Sequence, residues 1–155
     1  MVRRRLSAFV ALAAITGLAV FTAGPAAAGP DRDPDLYEWN TAVAGTPPAS
    51  FTKCTAKTPG VAAMACYVEG TDDLWVKDTA KDGYSAATEW IMAVPNGISL
   101  NIERWGTCVN SLGSGKWGVC RKNFTEDATL GWFAGTFDNP TDTWHYITDT
   151  VSTKA

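Results

Sequence analysis

The sequence predicts an all-β fold, a small antiparallel β-sandwich or barrel stapled by two short-loop disulfides. Beyond Phe51, glycines and turn dipeptides recur about every ten residues, with β-branched and aromatic residues between them, as is typical of short strands. Four cysteines form two pairs with the same spacing of twelve, Cys54 with Cys66 and Cys108 with Cys120. Because short loops close readily, we expect a disulfide within each pair.

Each cysteine loop contains turn-forming residues, Pro59-Gly60 in the first and Gly113-Ser114-Gly115 in the second. Four cysteines allow three connectivities, and we favour the pairing that closes these short loops. Each bridge should stabilise the fold by roughly 2–3 kcal/mol. A zinc site is disfavoured, because the spacing differs from paired Cys-x-x-Cys motifs. The constant offset between the two pairs leaves open an internal repeat, which would align Trp90 with Trp144.

Residues 1–28 have the three parts of a secretory signal peptide. Arg3, Arg4 and Arg5 precede an apolar run over residues 6–23, and Ala26-Ala27-Ala28 provides the small residues of a cleavage site. We expect cleavage after Ala28 and secretion of the product, with an uncleaved membrane anchor as the alternative. No second apolar run of spanning length follows, so we expect no membrane span after removal of the signal.

The expected product is acidic. Removal of three arginines leaves ten basic residues against sixteen acidic ones, a net charge of −6. Nucleic acid is therefore a poor partner. Residues 29–50 are rich in proline and predict an extended arm or linker, on which Tyr37 and Trp39 indicate partial docking. Residues 51–155 have the length of a single domain.

The strand pattern follows the turn signals. Asp82-Gly83 predicts a hairpin between residues 74–76 and 85–94, and Asn96-Gly97 predicts a second one leading into residues 98–105. In that last segment Ile98, Leu100 and Ile102 alternate with polar residues, which indicates a half-buried strand. Two further strands are expected over residues 130–137 and 143–151, and the alanine-rich residues 60–64 allow a helical turn.

Residues 66–124 contain the motifs WVKDT at 75–79, DGYSA at 82–86 and NSLGSGKWGVC at 110–120. In these motifs the chain resembles a family of small secreted actinobacterial proteins. The resemblance implies a secreted β domain, and it implies no activity and no catalytic residue.

Asp78, Asp82, Gly83 and Glu89 occupy positions 1, 5, 6 and 12 of a helix-loop-helix calcium loop. The match is incomplete, because Ala80 replaces the second acidic ligand and the flanking segments are strand-like. We therefore expect a turn without a cofactor, and we keep calcium bound by Asp78, Asp82 and Glu89 as the alternative.

Aromatic residues are the main candidates for ligand binding. Trp39 lies on the proline-rich arm and Trp117 in a glycine-rich loop beside Lys116, so these three residues are candidate ligand-binding positions. The other five tryptophans lie in apolar strand patterns and are expected in the core. They are Trp75, Trp90, Trp105, Trp132 and Trp144.

Three functions remain open. The leading hypothesis is a non-catalytic exported binding or envelope-associated protein whose partner is a cell-surface polysaccharide or a secreted protein. A second is a protease inhibitor that presents residues 111–119. A third is a small glycan hydrolase that uses Glu69, Glu89 or Glu103. A serine triad is disfavoured, because His145 is the only histidine and no Gly-x-Ser-x-Gly turn exists.

Overall fold

The computed structural model describes residues 35–155, and these form two β-sheets packed face to face. The predicted signal peptide and the start of the predicted arm lie outside the described residues. The strands are β1 (Tyr37–Thr41), β2 (Val43–Ala44), β3 (Lys53–Cys54), β4 (Ala63–Val68), β5 (Asp73–Asp78), β6 (Ser85–Asn96), β7 (Ser99–Asn110), β8 (Trp117–Arg121), β9 (Thr129–Asp138), β10 (Thr143–Ile147) and β11 (Val151–Lys154). A single 3₁₀ turn, Asn139–Thr141, lies between β9 and β10.

The larger sheet has the order β1-β7-β6-β9-β10, with β11 also paired to β9, and the smaller sheet has the order β2-β8-β5-β4-β3. All pairings are antiparallel except that of β1 with β7, which is parallel. The prediction of an all-β fold is confirmed. In the part of the chain that the structure describes, no helix has the length and apolar character needed to span a membrane.

The core lies between the inner faces of the two sheets. Trp90 of β6 and Trp132 of β9 are 1% exposed and pack in one cluster with Tyr67 and Leu74 of the smaller sheet. The indole N–H of Trp132 donates a hydrogen bond to the carbonyl of Ala65, at 3.3 Å, across the sandwich. A buried tryptophan contributes about 3–5 kcal/mol to stability, so these two rings dominate the packing.

Both predicted disulfides are present, and they connect different parts of the fold. Cys54 and Cys66 are direct partners on β3 and β4, so their bridge lies within the smaller sheet. Cys108 on β7 and Cys120 on β8 belong to different sheets, and their bridge crosses the core. An internal repeat would require equivalent bridges and equivalent tryptophans. The two bridges differ, because one lies within a sheet and the other joins the two sheets. The tryptophans differ as well, because Trp90 is buried in the core and Trp144 packs in a separate cluster.

Part of the predicted arm belongs to the sheets. β1 adds a strand to the larger sheet beside β7, and β2 adds one to the smaller sheet beside β8. The sheet structure therefore includes residues from Tyr37 onward, ahead of the boundary expected at residue 51. The chain passes from the larger sheet to the smaller one at Ala42. This residue is 4% exposed, and its N–H donates a hydrogen bond to the carbonyl of Val109.

One predicted hairpin is wrong. β5 pairs with β4 and β8, whereas β6 pairs with β7 and β9, so Asp82-Gly83 lies on a crossover between the sheets. The local geometry is still that of a tight turn, because Gly83 has a φ of 86° and the Asp82 carboxylate accepts the N–H of Tyr84 at 3.0 Å. The turn signal was therefore correct and the pairing inferred from it was not.

Two further expectations need correction. Ile98, Leu100 and Ile102 were expected to be half-buried, but they are 105%, 55% and 51% exposed. The Asn96-Gly97 hairpin does form, and its tip extends beyond the neighbouring strands, so no second layer covers it. The helical turn that the alanine-rich residues 60–64 allow does not form, because β4 begins at Ala63.

A charged cluster closes one side of the core. Glu38 of β1 accepts hydrogen bonds from Arg104 and from Lys122, each at 2.7 Å, and Lys122 also donates to Asn40. The Lys122 side chain is 1% exposed, and its ammonium group lies 4.5 Å from the centroid of the Trp90 ring. Burial lowers the pKa of Lys122, while its bond to Glu38 opposes that change. The cluster thus satisfies a buried cation with one carboxylate and one aromatic face.

This cluster predicts acid sensitivity. Burial raises the pKa of Glu38, but the hydrogen bonds and charges of Lys122 and Arg104 together hold that pKa below its ordinary value of 4.5. The stabilisation is therefore complete above pH 4.5 and is lost as the pH falls through the lowered pKa. Glu38→Gln should cost about 1–3 kcal/mol at neutral pH and flatten the loss of melting temperature below pH 4.5. Glu103→Gln, at an exposed position, is the control and should leave the acid profile unchanged.

Candidate functional site

A groove with polar walls lies at one end of the sandwich and has a volume of about 560 Å³. The crossover after β5 forms one wall, and the loop between β7 and β8 forms the other. The groove is lined by the carboxylates of Asp78 and Asp82, the ammonium group of Lys81, the ring of Tyr84, and the hydroxyls of Ser85, Ser111 and Ser114.

The β7–β8 wall is held in place by Asn110, which is fully buried. Its amide nitrogen donates to the carbonyl of Val76 at 2.7 Å and to that of Lys116 at 3.0 Å. Its side-chain oxygen accepts the N–H of Leu112 at 3.0 Å. One side chain therefore ties both ends of the loop to β5. Gly113 and Gly115 have φ values of 93° and 81°, which the loop requires and which other residues rarely adopt.

Asp78 lies at the base of the groove, at the end of β5, and is 4% exposed. Its carboxylate accepts the N–H of Ala80 at 3.1 Å, and its carbonyl accepts the N–H of Gly115 at 2.8 Å. Burial raises the pKa of Asp78, and the nearby charge of Asp82 raises it further, while the bond from Ala80 opposes both. A buried carboxyl with a raised pKa in a cleft is a frequent feature of functional sites.

The rim of the groove combines an aromatic ring with hydroxyl groups. Tyr84 is 43% exposed, and its ring centroid lies 4.4 Å from that of His145 on β10. The hydroxyls of Ser85 and Ser111 are hydrogen-bonded to each other at 2.9 Å and join the two walls. The groove thus offers a ring face beside hydroxyl and carboxylate groups.

Aromatic side chains continue from the groove onto the outer face of the larger sheet. Ser85 is the direct partner of Phe137, so both side chains lie on this face. The ring of Phe137 packs against Trp39 at 5.7 Å and against Trp144 at 4.8 Å. Trp39 is 41% exposed. Gly135 makes room for this cluster, because a Cβ there would lie 2.8 Å from the ring of Trp144.

The other two candidate ligand-binding residues are placed differently. Trp117 is half-buried, and its ring packs against Phe51 at 5.2 Å and against Trp75 at 6.5 Å. The Lys116 side chain is exposed, and its carbonyl accepts the N–H of Asp78. Trp117 therefore covers the outer side of the smaller sheet. The hypothesis that residues 111–119 inhibit a protease stays a prediction.

The three residues of the alternative calcium site are not brought together. Asp78 and Asp82 line the groove, but Glu89 lies on β6 beside a separate pocket of about 150 Å³, with Ile91 and Phe133. Between residues 35 and 155, no group of three or more His, Cys, Asp or Glu side chains could hold a metal ion. Glu69 and Glu103, the other two hydrolase candidates, also lie outside the groove.

The sequence analysis did not identify Tyr84, His145 or Asn110 as residues of a functional site. It also did not predict that Ser85 and Ser111 lie together. Tyr84 had a usable signal, because an aromatic residue directly after an Asp-Gly turn is displayed at the tip of a loop. Asn110 had none, since a buried asparagine that bonds three backbone groups is indistinguishable in sequence from an exposed one. The meeting of residues 78–85 with residues 111–114 depends on how the two sheets stack.

No family model matches the chain, and searches of curated proteins and of solved structures likewise find no match.

Proposed function

We propose that the chain is an exported, non-catalytic glycan-binding protein and that the groove between residues 78–85 and 111–114 receives the sugar. The observation that carries the proposal is the rim formed by the exposed Tyr84 ring on His145, next to the hydroxyls of Ser85 and Ser111. Sugars present apolar C–H faces beside rows of hydroxyl groups. A ring face adjacent to hydroxyl and carboxylate groups complements both features.

Three further features support this proposal. The walls of the groove are tied down by Asn110 and Asp78, so little conformational entropy remains to be lost on binding. Trp39 and Trp144 extend the aromatic surface away from the groove, as a longer chain of sugar units would require. The two disulfides suit an oxidising compartment, where extracellular polysaccharides are found.

The test is a binding measurement with residues 29–155 on cell wall, chitin and cellulose, followed by calorimetry with soluble oligosaccharides of the retained polymer. Tyr84→Ala should weaken binding about tenfold, which corresponds to ~1.4 kcal/mol of lost stacking. Tyr146→Ala is the matched control, because Tyr146 is an exposed tyrosine of β10 that does not line the groove. Retention of none of the three polymers, or equal affinity in both variants, would contradict the proposal.

A second candidate is glycan hydrolysis in the same groove, and the raised pKa of Asp78 favours it. A carboxyl with a raised pKa is suited to act as a general acid towards a leaving sugar oxygen, with Asp82 as the second carboxylate. The two functions separate in one experiment. If hydrolysis occurs, Asp78→Asn should abolish release of reducing sugar while binding is retained, whereas a binding protein releases no sugar from the wild-type chain.

A further inference from the structure

The end of the sandwich opposite the groove carries an overhanging hairpin. β6 and β7 remain paired as far as Asn96 and Ser99, but β9 pairs with β6 only up to Ala93. On the other side, β1 pairs with β7 only from Trp105 onward. Residues 94–103 therefore project as a two-stranded ribbon past the strands that flank them in the described chain. β6 has twelve residues, so the tip of this ribbon lies roughly 35 Å from the groove.

The ribbon is exposed and largely apolar, and Glu103 at its base is its one charged residue. Leu100 and Ile102 are direct partners of Pro95 and Ala93, so they lie on the same face as these residues, and both are more than half exposed. Ile98 at the turn is fully exposed. Residues 94–102 contain no charged side chain in a chain of net charge −3. Contiguous exposed apolar residues of this kind mark interaction surfaces.

The two edges of the ribbon differ. On the β6 side, Pro95 has no N–H to donate, which discourages pairing with a further strand. On the β7 side, residues 99–102 contain no proline and no charged side chain, the features that usually protect an edge strand, and Glu103 follows at the base of the ribbon. No described strand pairs with this segment on the side away from β6. Among the strands of residues 35–155, this edge of β7 is therefore unpaired, and it can serve as a template for another strand.

We propose that the strand received there is the same segment of a second copy of this chain. Antiparallel pairing about a two-fold axis at Asn101 places Leu100 opposite Ile102 of the second copy, twice, and Ser99 opposite Glu103. The segment is thus self-complementary, as an isologous interface requires. In this register the one charged residue of each paired segment, Glu103, lies opposite Ser99 and not opposite the second Glu103, so repulsion between the two copies is small.

A lipid surface is the main competing occupant, and the backbone distinguishes the two. Lipid would cover Ile98, Leu100 and Ile102 but would leave without partners those N–H and C=O groups of residues 99–103 that point away from β6. A second β7 covers the side chains and pairs the backbone in the same contact. The groove lies at the far end of β6, so both copies keep it accessible.

The test is sedimentation velocity on residues 29–155 over a concentration range from low micromolar to several hundred micromolar. The expected result is a reversible monomer–dimer equilibrium. Ile102→Lys should weaken it at least tenfold, because it places two ammonium groups in the centre of the interface. Leu100→Lys provides a second variant, and the near-ultraviolet circular dichroism of both should match the wild type. Ile147→Lys is the control, because Ile147 is 50% exposed, as Ile102 is at 51%, but lies on β10.

Asn101→Cys adds a direct test of register. Residues opposite each other across a two-fold axis have Cα atoms about 4.5–5.5 Å apart, within the range for a disulfide. Mild oxidation should therefore link Asn101→Cys into a covalent dimer and leave Ile147→Cys largely monomeric. A wild-type protein that stays monomeric at every concentration overturns the proposal. So does a dimer that Ile102→Lys leaves intact, or a monomer that binds phosphatidylcholine vesicles through Ile98 and loses this binding on Ile98→Lys.

Discussion

Replacing Cys108 and Cys120 together by alanine is expected to lower the free energy of unfolding by about 4–5 kcal/mol. The bridge closes a loop with a sequence separation of 12, and the restriction of the unfolded chain alone accounts for about 3 kcal/mol. The remainder comes from the core, because Cys108 and Cys120 are 0% and 4% exposed and join the inner faces of the two sheets. Their removal leaves an unfilled volume between the sheets.

The second disulfide is the matched control for this experiment. Cys54 and Cys66 have the same sequence separation of 12, so the unfolded chain is restricted to the same extent. Their bridge joins adjacent strands of one sheet, and Cys54 is only half-buried. The double alanine variant at 54 and 66 should therefore lose about 3 kcal/mol. Guanidinium unfolding of both variants gives the comparison, and equal losses or the reverse order would contradict a special role for the bridge between the sheets.

Asn110→Leu is expected to lower the free energy of unfolding by about 3 kcal/mol. The substitution removes three hydrogen bonds and leaves the carbonyls of Val76 and Lys116 without this partner. An unsatisfied buried polar group costs about 1–3 kcal/mol. Because two of these bonds hold the β7–β8 loop, amide hydrogen exchange over residues 111–116 should accelerate more than exchange in β4 or β9.

The control for Asn110 is Asn139→Leu, which makes the same change at an exposed position in the 3₁₀ turn. Its effect on stability should remain within about 0.5 kcal/mol. A stable Asn110→Leu variant would show that the backbone bonds between Asp78 and the loop are sufficient to hold it. A destabilised variant with unchanged exchange over residues 111–116 would show that Asn110 supports the sheets and not the groove.

The two surfaces proposed for binding lie at opposite ends of β6. The groove lies at the start of β6, beside Ser85, and the hairpin tip lies at the end of β6, beside Asn96. A dimer formed through the tips would present two grooves facing away from each other. Two linked sites on one polymer bind with greater avidity than either site alone, so loss of the dimer should weaken retention on an insoluble glycan without changing affinity for a short oligosaccharide.

Turn chemistry explains both the success and the failure of the strand predictions. Asn96-Gly97 and Asp82-Gly83 carry the same local signal, because both dipeptides favour the backbone angles of a tight turn. The first joins partners within one sheet, and the second joins strands of different sheets. Which of these occurs depends on the segments that pair elsewhere with β5, namely β4 and β8. A dipeptide contains no information about such distant partners.

Burial was harder to predict than strand formation. Trp75, Trp90 and Trp132, which lie in apolar strand patterns, are buried as expected, whereas Trp105 and Trp144, also expected in the core, are half-buried. Ile98, Leu100 and Ile102 alternate regularly with polar residues and are exposed. The difference lies in the lengths of the flanking strands, since neither β1 nor β9 reaches the tip of the hairpin. Periodicity identifies a face, and only neighbouring strands decide whether that face is covered.

The sequence by itself determined the all-β class, the pairing of the four cysteines and most of the turns, because these depend on residues close together in the chain. The tertiary structure alone decided that the bridge between Cys108 and Cys120 crosses the core, that Asp78 and Tyr84 meet Ser111 in a groove, and that the β6–β7 hairpin is left uncovered. Each of these depends on how the two sheets stack, and stacking is decided by the joint packing of residues that are far apart in the chain.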